Sequence, residues 1–230
     1  MNPRLSRRAV LTGALLLGVT SCTTPRSTPD PTEITTMPQP SAPAPAGSPS
    51  TSGGGSGRVL LAYFSGAGEN YFYGGRRDLE VGNTEVVATM IAELIDCDTY
   101  RIEASDPYPD GYDATVQRNV AEQDAGARPG IADPLASIEG YQRVLLGSPI
   151  WNTRPPMIMS TFAESCDFTG ITVHPFVTYA VSGLGSATRV YSRACTGAYI
   201  GTGLAMRGEE VAQHRSDVEA WLRGAGLLTN

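Results

Sequence analysis

The chain has 230 residues, enough for one ordinary domain with extensions, and its 41% apolar and 17% charged residues are those of a globular protein. Its 17 basic residues are all arginine and face 23 acidic ones, a net charge of −6; with no basic stripe to offset it, that balance repels nucleic-acid phosphates. The four cysteines (Cys22, Cys97, Cys166, Cys195) form no CxxC, and His174 and His214 are the only histidines, so no metal or haem ligand set has recognisable spacing.

The first quarter of the chain is compositionally unlike the rest. Arg4, Arg7 and Arg8 form a positive start, a short run rich in Gly, Ala and Leu follows, and Val19-Thr20-Ser21-Cys22 ends it. That run falls short of the ~20 apolar residues that span a bilayer, so residues 1–21 are expected to be a signal peptide. Ser6-Arg7-Arg8-Ala9-Val10-Leu11 resembles a twin-arginine export signal. Val19 to Cys22 resembles a lipobox, in which Cys22 becomes the lipidated first residue of the mature protein. A plain secretory signal with an incidental cysteine is the alternative. Cleavage before Cys22 leaves 14 arginines against 23 acids, a net charge of −9. Residues 23–57 are nearly all Thr, Pro, Ser, Ala and Gly, too poor in apolar surface to order themselves. They are expected to be a spacer between a membrane anchor at Cys22 and a domain spanning residues 58–230.

Within that domain strands and helices alternate. Residues 59–64 are a continuous apolar run, as a strand buried on both faces requires. After a long Gly-rich stretch a helix is expected to open at Asn83-Thr84, with Val86, Val87, Met90, Ile91, Leu94 and Ile95 along one face. Residues 99–103 follow as a second strand, Asp106-Pro107-Tyr108-Pro109 as a turn, and residues 112–124 as a polar helix. A third strand covers 143–147, a helix 157–164, and a fourth strand 172–179. Residues 186–194 form another helix, 199–206 the fifth strand, and 209–223 a closing amphipathic helix with Val211, Val218, Trp221 and Leu222 inward. Five such units predict a doubly wound α/β fold, a parallel sheet covered on both faces. Ligands of such folds bind beyond the carboxyl ends of the strands, where strand order reverses.

Three loops at those ends carry chemistry. Ser65, just past the first strand, and Gly82-Asn83-Thr84 at a helix start offer hydroxyl, amide and backbone N–H donors suited to a phosphate; a merely capped helix is the plainer alternative. Pro149, Ile150, Trp151 and Asn152 follow the third strand, where a flat aromatic can stack on a heterocycle or simply cover the sheet end. Thr178, Tyr179, Ser182, Gly183 and Gly185 follow the fourth, with backbone N–H groups for the polar edge of a ring. Their GxG lacks the third glycine and the downstream acid of a dinucleotide site, which argues against nicotinamide. A phosphate cradle, an aromatic loop and a Gly-rich loop around one switch point suit a mononucleotide with a large planar head.

These motifs, with Ala62-Tyr63-Phe64-Ser65 and Gly147-Ser148-Pro149-Ile150-Trp151, resemble the flavodoxin-like family over residues 58–227. The resemblance implies a five-stranded sheet in 2-1-3-4-5 order and noncovalent FMN. Ser65, Asn83 and Thr84 would then bind its phosphate, Trp151 would flank the isoalloxazine, and residues 178–185 would border its other edge. An insertion at 66–81, with Tyr71, Phe72, Tyr73, Arg76 and Arg77, departs from the family pattern and is either a lid or a mobile loop. No acid–base dyad or activated nucleophile stands out. The expected function is electron transfer outside the cytoplasmic membrane with a redox partner that the sequence does not identify; a quinone or nitro-compound reductase using NAD(P)H, and a flavin-free binding lipoprotein, are the alternatives. Cys166 and Cys195 each follow a helix expected on the same sheet face, and a disulfide between them is expected, with Cys97 a buried free thiol; three unpaired structural cysteines are the alternative.

Overall fold

The computed structural model describes residues 57–229; the expected signal peptide, the expected lipidation site Cys22 and nearly all of the expected spacer lie outside them. In chain order the elements are β1 (Val59–Tyr63), β2 (Gly68–Phe72), β3 (Gly75–Leu79), α1 (Asn83–Leu94), β4 (Asp98–Arg101) and α2 (Tyr112–Ala125). There follow β5 (Arg143–Pro149), α3 (Met157–Ser165), β6 (Thr172–Tyr179), α4 (Ala187–Ala194), β7 (Tyr199–Ile200), β8 (Leu204–Arg207), a 3-10 helix (Gly208–Gln213) and α5 (Arg215–Gly224).

The sheet forms where apolar runs let both faces of a strand be buried. In β1, Leu60 and Ala62 point into a core shared with Ile158, Phe162 and Tyr191 of α3 and α4. Their neighbours Val59, Leu61 and Tyr63 point the other way, onto Val87 and Ile91 of α1 and Val218 and Leu222 of α5. Each such apolar side chain contributes roughly 1.5–3 kcal/mol by leaving water, so β1 could not slip by one residue without exchanging its two cores. Strands run β4-β1-β5-β6 and then β7 and β8, all parallel. With β7 and β8 taken as one interrupted strand, this is the expected 2-1-3-4-5 order.

Two elements differ from expectation. The fifth strand breaks at Gly201-Thr202-Gly203, where the Thr202 carbonyl leaves the ladder and accepts from the Trp221 indole N–H at 2.9 Å. The closing helix is divided at His214, whose imidazole meets the Asp217 carboxylate at 2.9 Å; a 3-10 turn precedes it and α5 follows.

The 66–81 insertion is a hairpin. β2 and β3 pair antiparallel around Tyr73-Gly74, whose φ angles of 45° and 86° are those of the tight turn that matches strand twist. The hairpin is tied down at both ends. Glu69 N–H donates to the Asp110 carbonyl at 2.8 Å, and Arg76 grips Asp113 through two bonds of 2.9 and 2.7 Å while lying over the Tyr112 ring. At the tip, Tyr73 N–H donates to Glu209 at 3.1 Å.

The expected disulfide is not formed: Cys97, Cys166 and Cys195 are free thiols. Cys166 and Cys195 do end α3 and α4 on one sheet face, but the Cys166 sulfur lies 3.7 Å from the Ser165 hydroxyl while Cys195 is buried in the core. Burial pushes the Cys195 thiol up to about 12 and Cys97 up to about 11, so both stay protonated and unreactive.

Candidate functional site

A cleft of about 420 Å³ opens at the carboxyl ends of β1, β4, β5 and β6, across the point where strand order reverses. Ser65, Asn83, Pro149, Ile150, Trp151 and Asn152 line it, as do Thr178 and Tyr179. Tyr71 of the insertion and Tyr108 of the turn after β4 also line it, and so do residues that the sequence did not single out, among them Glu69 and Asn70 of the hairpin, Asn119 of α2, and Glu209.

Part of the wall is built on the start of α1. Its N-cap residue, Gly82, supplies no side-chain cap; instead the Ser65 hydroxyl oxygen accepts from Glu85 N–H at 3.1 Å, leaving the Ser65 proton to donate elsewhere. Gly82 does not line the cleft. A Cβ there would overlap the Ser65 hydroxyl and the Gly66 carbonyl, so glycine is what lets the loop after β1 lie on the helix start. Thr84 also lies outside the cleft wall. It shares the buried stripe of α1 with Val87, Ala88 and Ile91, and its hydroxyl is engaged with that of Thr178 at 2.8 Å. Elsewhere on the wall, one Glu209 oxygen accepts from Tyr73 N–H while Oε2 is buried with no partner. An unmet acceptor of this kind suits a ligand that brings hydroxyl donors.

A further part of the wall is aromatic. Phe64, Tyr108 and Trp151 meet edge to face, with centroids 5.2–5.6 Å apart. Trp151 is aimed by a tight turn in which it and Arg154 exchange backbone hydrogen bonds of 2.9 and 3.2 Å. Asn152 and Thr153 between them have φ of 48° and 68°, a left-handed conformation that a β-branched threonine adopts only under strain. Ser182, Gly183 and Gly185 do not line the cleft; their loop buttresses this turn from behind. Ser186 N–H donates to the Thr153 carbonyl at 2.9 Å, and Gly185 packs so closely on that carbonyl that a Cβ would overlap it.

Charge is arranged around this frame rather than aimed at one reacting atom. Tyr108 donates to Glu122 at 2.8 Å; burial and that carboxylate hold its phenol far above the usual range, fixing it as a donor. Arg118 lies over the Tyr108 ring and pairs with Glu122 at 2.8 Å. Arg101, on the cleft wall, is held by Glu85 at 2.7 Å and Glu103 at 3.1 Å.

Parallel sheet, strand order and switch-point cleft together define a flavodoxin-like α/β protein. The family model described as Flavodoxin matches residues 78–224, most of the chain, and the chain belongs to that family. Among solved structures it is similar to a candidate flavoprotein from Bacteroides uniformis ATCC 8492, at 28% identity and a TM-score of 0.60, covering 73% of this chain and 99% of that one. A candidate flavoprotein from Bacteroides eggerthii DSM 20697 is similar at 25% identity and a TM-score of 0.60, covering 74% of this chain and 98% of that one. No curated protein matches the chain.

Proposed function

We propose that this protein holds FMN in the switch-point cleft and passes electrons to and from it outside the cytoplasmic membrane, tethered through a lipid on Cys22. The observation that carries the FMN reading is the mix of groups on one cleft wall. Hydroxyl and amide donors from Ser65 and Asn83, the unmet Glu209 acceptor, and the aromatic rings of Phe64, Tyr108 and Trp151 all line it. Those groups fit, in turn, a phosphate, a polyhydroxyl chain and a planar ring.

FMN supplies the redox chemistry when bound, and the protein sets how readily it does so. Ser65, through its free proton, and Asn83 would hold the phosphate with the N-terminal N–H groups of α1. Glu209 Oε2 would accept from the ribityl hydroxyls. Trp151 and Tyr108 would exclude water from the ring, and the hairpin, latched to Asp113 and Glu209, would cover it. A quinone or nitro-compound reductase is the second reading, favoured by the extension of the cleft along α2 beyond the loops of the sheet.

The phosphate assignment is tested by comparing FMN with riboflavin in a fluorescence titration. Binding of FMN at least tenfold tighter supports it, and equal affinity removes it. The anchor is tested by Cys22→Ala, which should move the protein from the membrane to the soluble fraction; an unchanged distribution defeats the tether.

A further inference from the structure

α2 has an unusual inner face. Tyr112, Thr115, Val116 and Asn119 follow helical spacing and all line the cleft, so the helix turns a largely polar stripe toward open space instead of an apolar stripe toward the core. Asn119 is its one buried residue, 2% exposed. A buried amide on such a stripe needs partners, and only half of this one is supplied.

The orientation of the amide follows from its neighbours. Gln123 Nε2 donates to the Trp151 backbone carbonyl at 3.2 Å, and a carbonyl can only accept, so that end of Gln123 is its nitrogen. The same nitrogen donates to Asn119 Oδ1 at 3.1 Å, while Gln123 Oε1 accepts from Asn152 Nδ2 at 3.0 Å. The chain Asn152–Gln123–Asn119 therefore has a fixed direction, ending with Asn119 Oδ1 occupied and Nδ2 turned elsewhere. Among the described residues Nδ2 makes no hydrogen bond, and the residue borders the cleft that Tyr108 and Trp151 also line.

We propose that Asn119 Nδ2 is the recognition donor for a carbonyl oxygen on a planar ring held in the cleft that Asn119, Tyr108 and Trp151 line. That chemistry is offered by the pyrimidine edge of a flavin and by a quinone. The inference rests on the FMN reading for the first source and is independent of it for the second.

The test uses the full-length chain and its Asn119→Asp and Asn119→Leu variants. Asn119→Asp keeps the acceptor for Gln123 but replaces the donor with a second acceptor; Asn119→Leu removes both at similar volume. FMN is titrated by fluorescence, and menadione is measured by equilibrium dialysis against the chain with and without FMN. Unchanged far-ultraviolet circular dichroism and melting establish that each variant is folded. Loss of about tenfold or more in FMN affinity in either folded variant assigns the donor to the flavin. Unchanged FMN affinity with a similar loss for menadione assigns it to a second ring. Wild-type affinity for both ligands in every folded variant overturns the proposal, as does a wild-type chain that binds neither. A wild-type chain that binds menadione but not FMN defeats the FMN reading alone, and the variants still decide the role of Asn119 through menadione.

Discussion

The hydroxyls of Thr84 and Thr178 lie 2.8 Å apart in the interior, joining the start of α1 to the end of β6 across the floor of the cleft. Each is the other's partner, so removing one strands the other. Thr178→Val is expected to cost about 1–3 kcal/mol, whereas Thr84→Val with Thr178→Val should recover much of that loss, because no buried hydroxyl remains unpaired. Urea unfolding of the two single variants and the double variant measures the coupling. Additive losses would show that the bond contributes nothing.

Gly82 makes a sharper demand. A Cβ at this position overlaps both the Ser65 side chain and the Gly66 backbone, and the backbone cannot move aside cheaply. Gly82→Ala is expected to destabilise the fold by about 1–3 kcal/mol and to weaken FMN binding, by forcing the loop after β1 away from the helix start. Thermal melting with and without FMN reads both effects.

Thr153 stores strain at the turn that aims Trp151. Its φ of 68° suits asparagine better than a β-branched residue. Thr153→Asn should stabilise the protein by roughly 0.5–1 kcal/mol, leaving the carbonyl that Ser186 binds in place. A decrease in the urea midpoint would show that the threonine side chain has a role beyond its backbone.

His174 supplies a pH dependence. It is buried on β6 against Trp221, its Nδ1 has no partner, and desolvation holds its pKa below the ordinary 6.5. Below pH 6.5 the unfolded chain takes up a proton that the folded one refuses. Stability therefore falls as pH drops from there and levels off below the folded pKa, with a slope of at most about 1.4 kcal/mol per pH unit. Unfolding measured from pH 8 to 5 should show this slope, and His174→Gln should flatten it; an unchanged slope assigns the effect to other groups.

The architecture was legible because its signal is local. The continuous apolar run at 59–64 and the apolar-rich segments at 143–147 and 172–179 read as strands, and the helices between them predict a parallel sheet. The site was legible only in part. Thr84 looked like a phosphate ligand from its place in Gly-Asn-Thr, yet residues 84, 87, 88 and 91 already carry core spacing, and that periodicity decided its fate. The Ser182–Gly185 loop was read as lining the cleft because glycines free backbone N–H groups; packing against Thr153, which no local pattern encodes, put it behind the wall. Asn119 was invisible because a polar helix reads as solvent-facing until the fold shows a cleft beneath it. The hairpin was open between two readings, since its register depends on Asp110, Asp113 and Glu209, all distant in sequence.

The most direct measurement of the central claim is the visible absorbance spectrum of the folded protein after incubation with FMN and desalting. Retained flavin bands near one equivalent, with altered shape relative to free FMN, are what this account expects. A folded chain that emerges colourless would contradict it, leaving a flavodoxin-family fold whose cleft serves some other ligand.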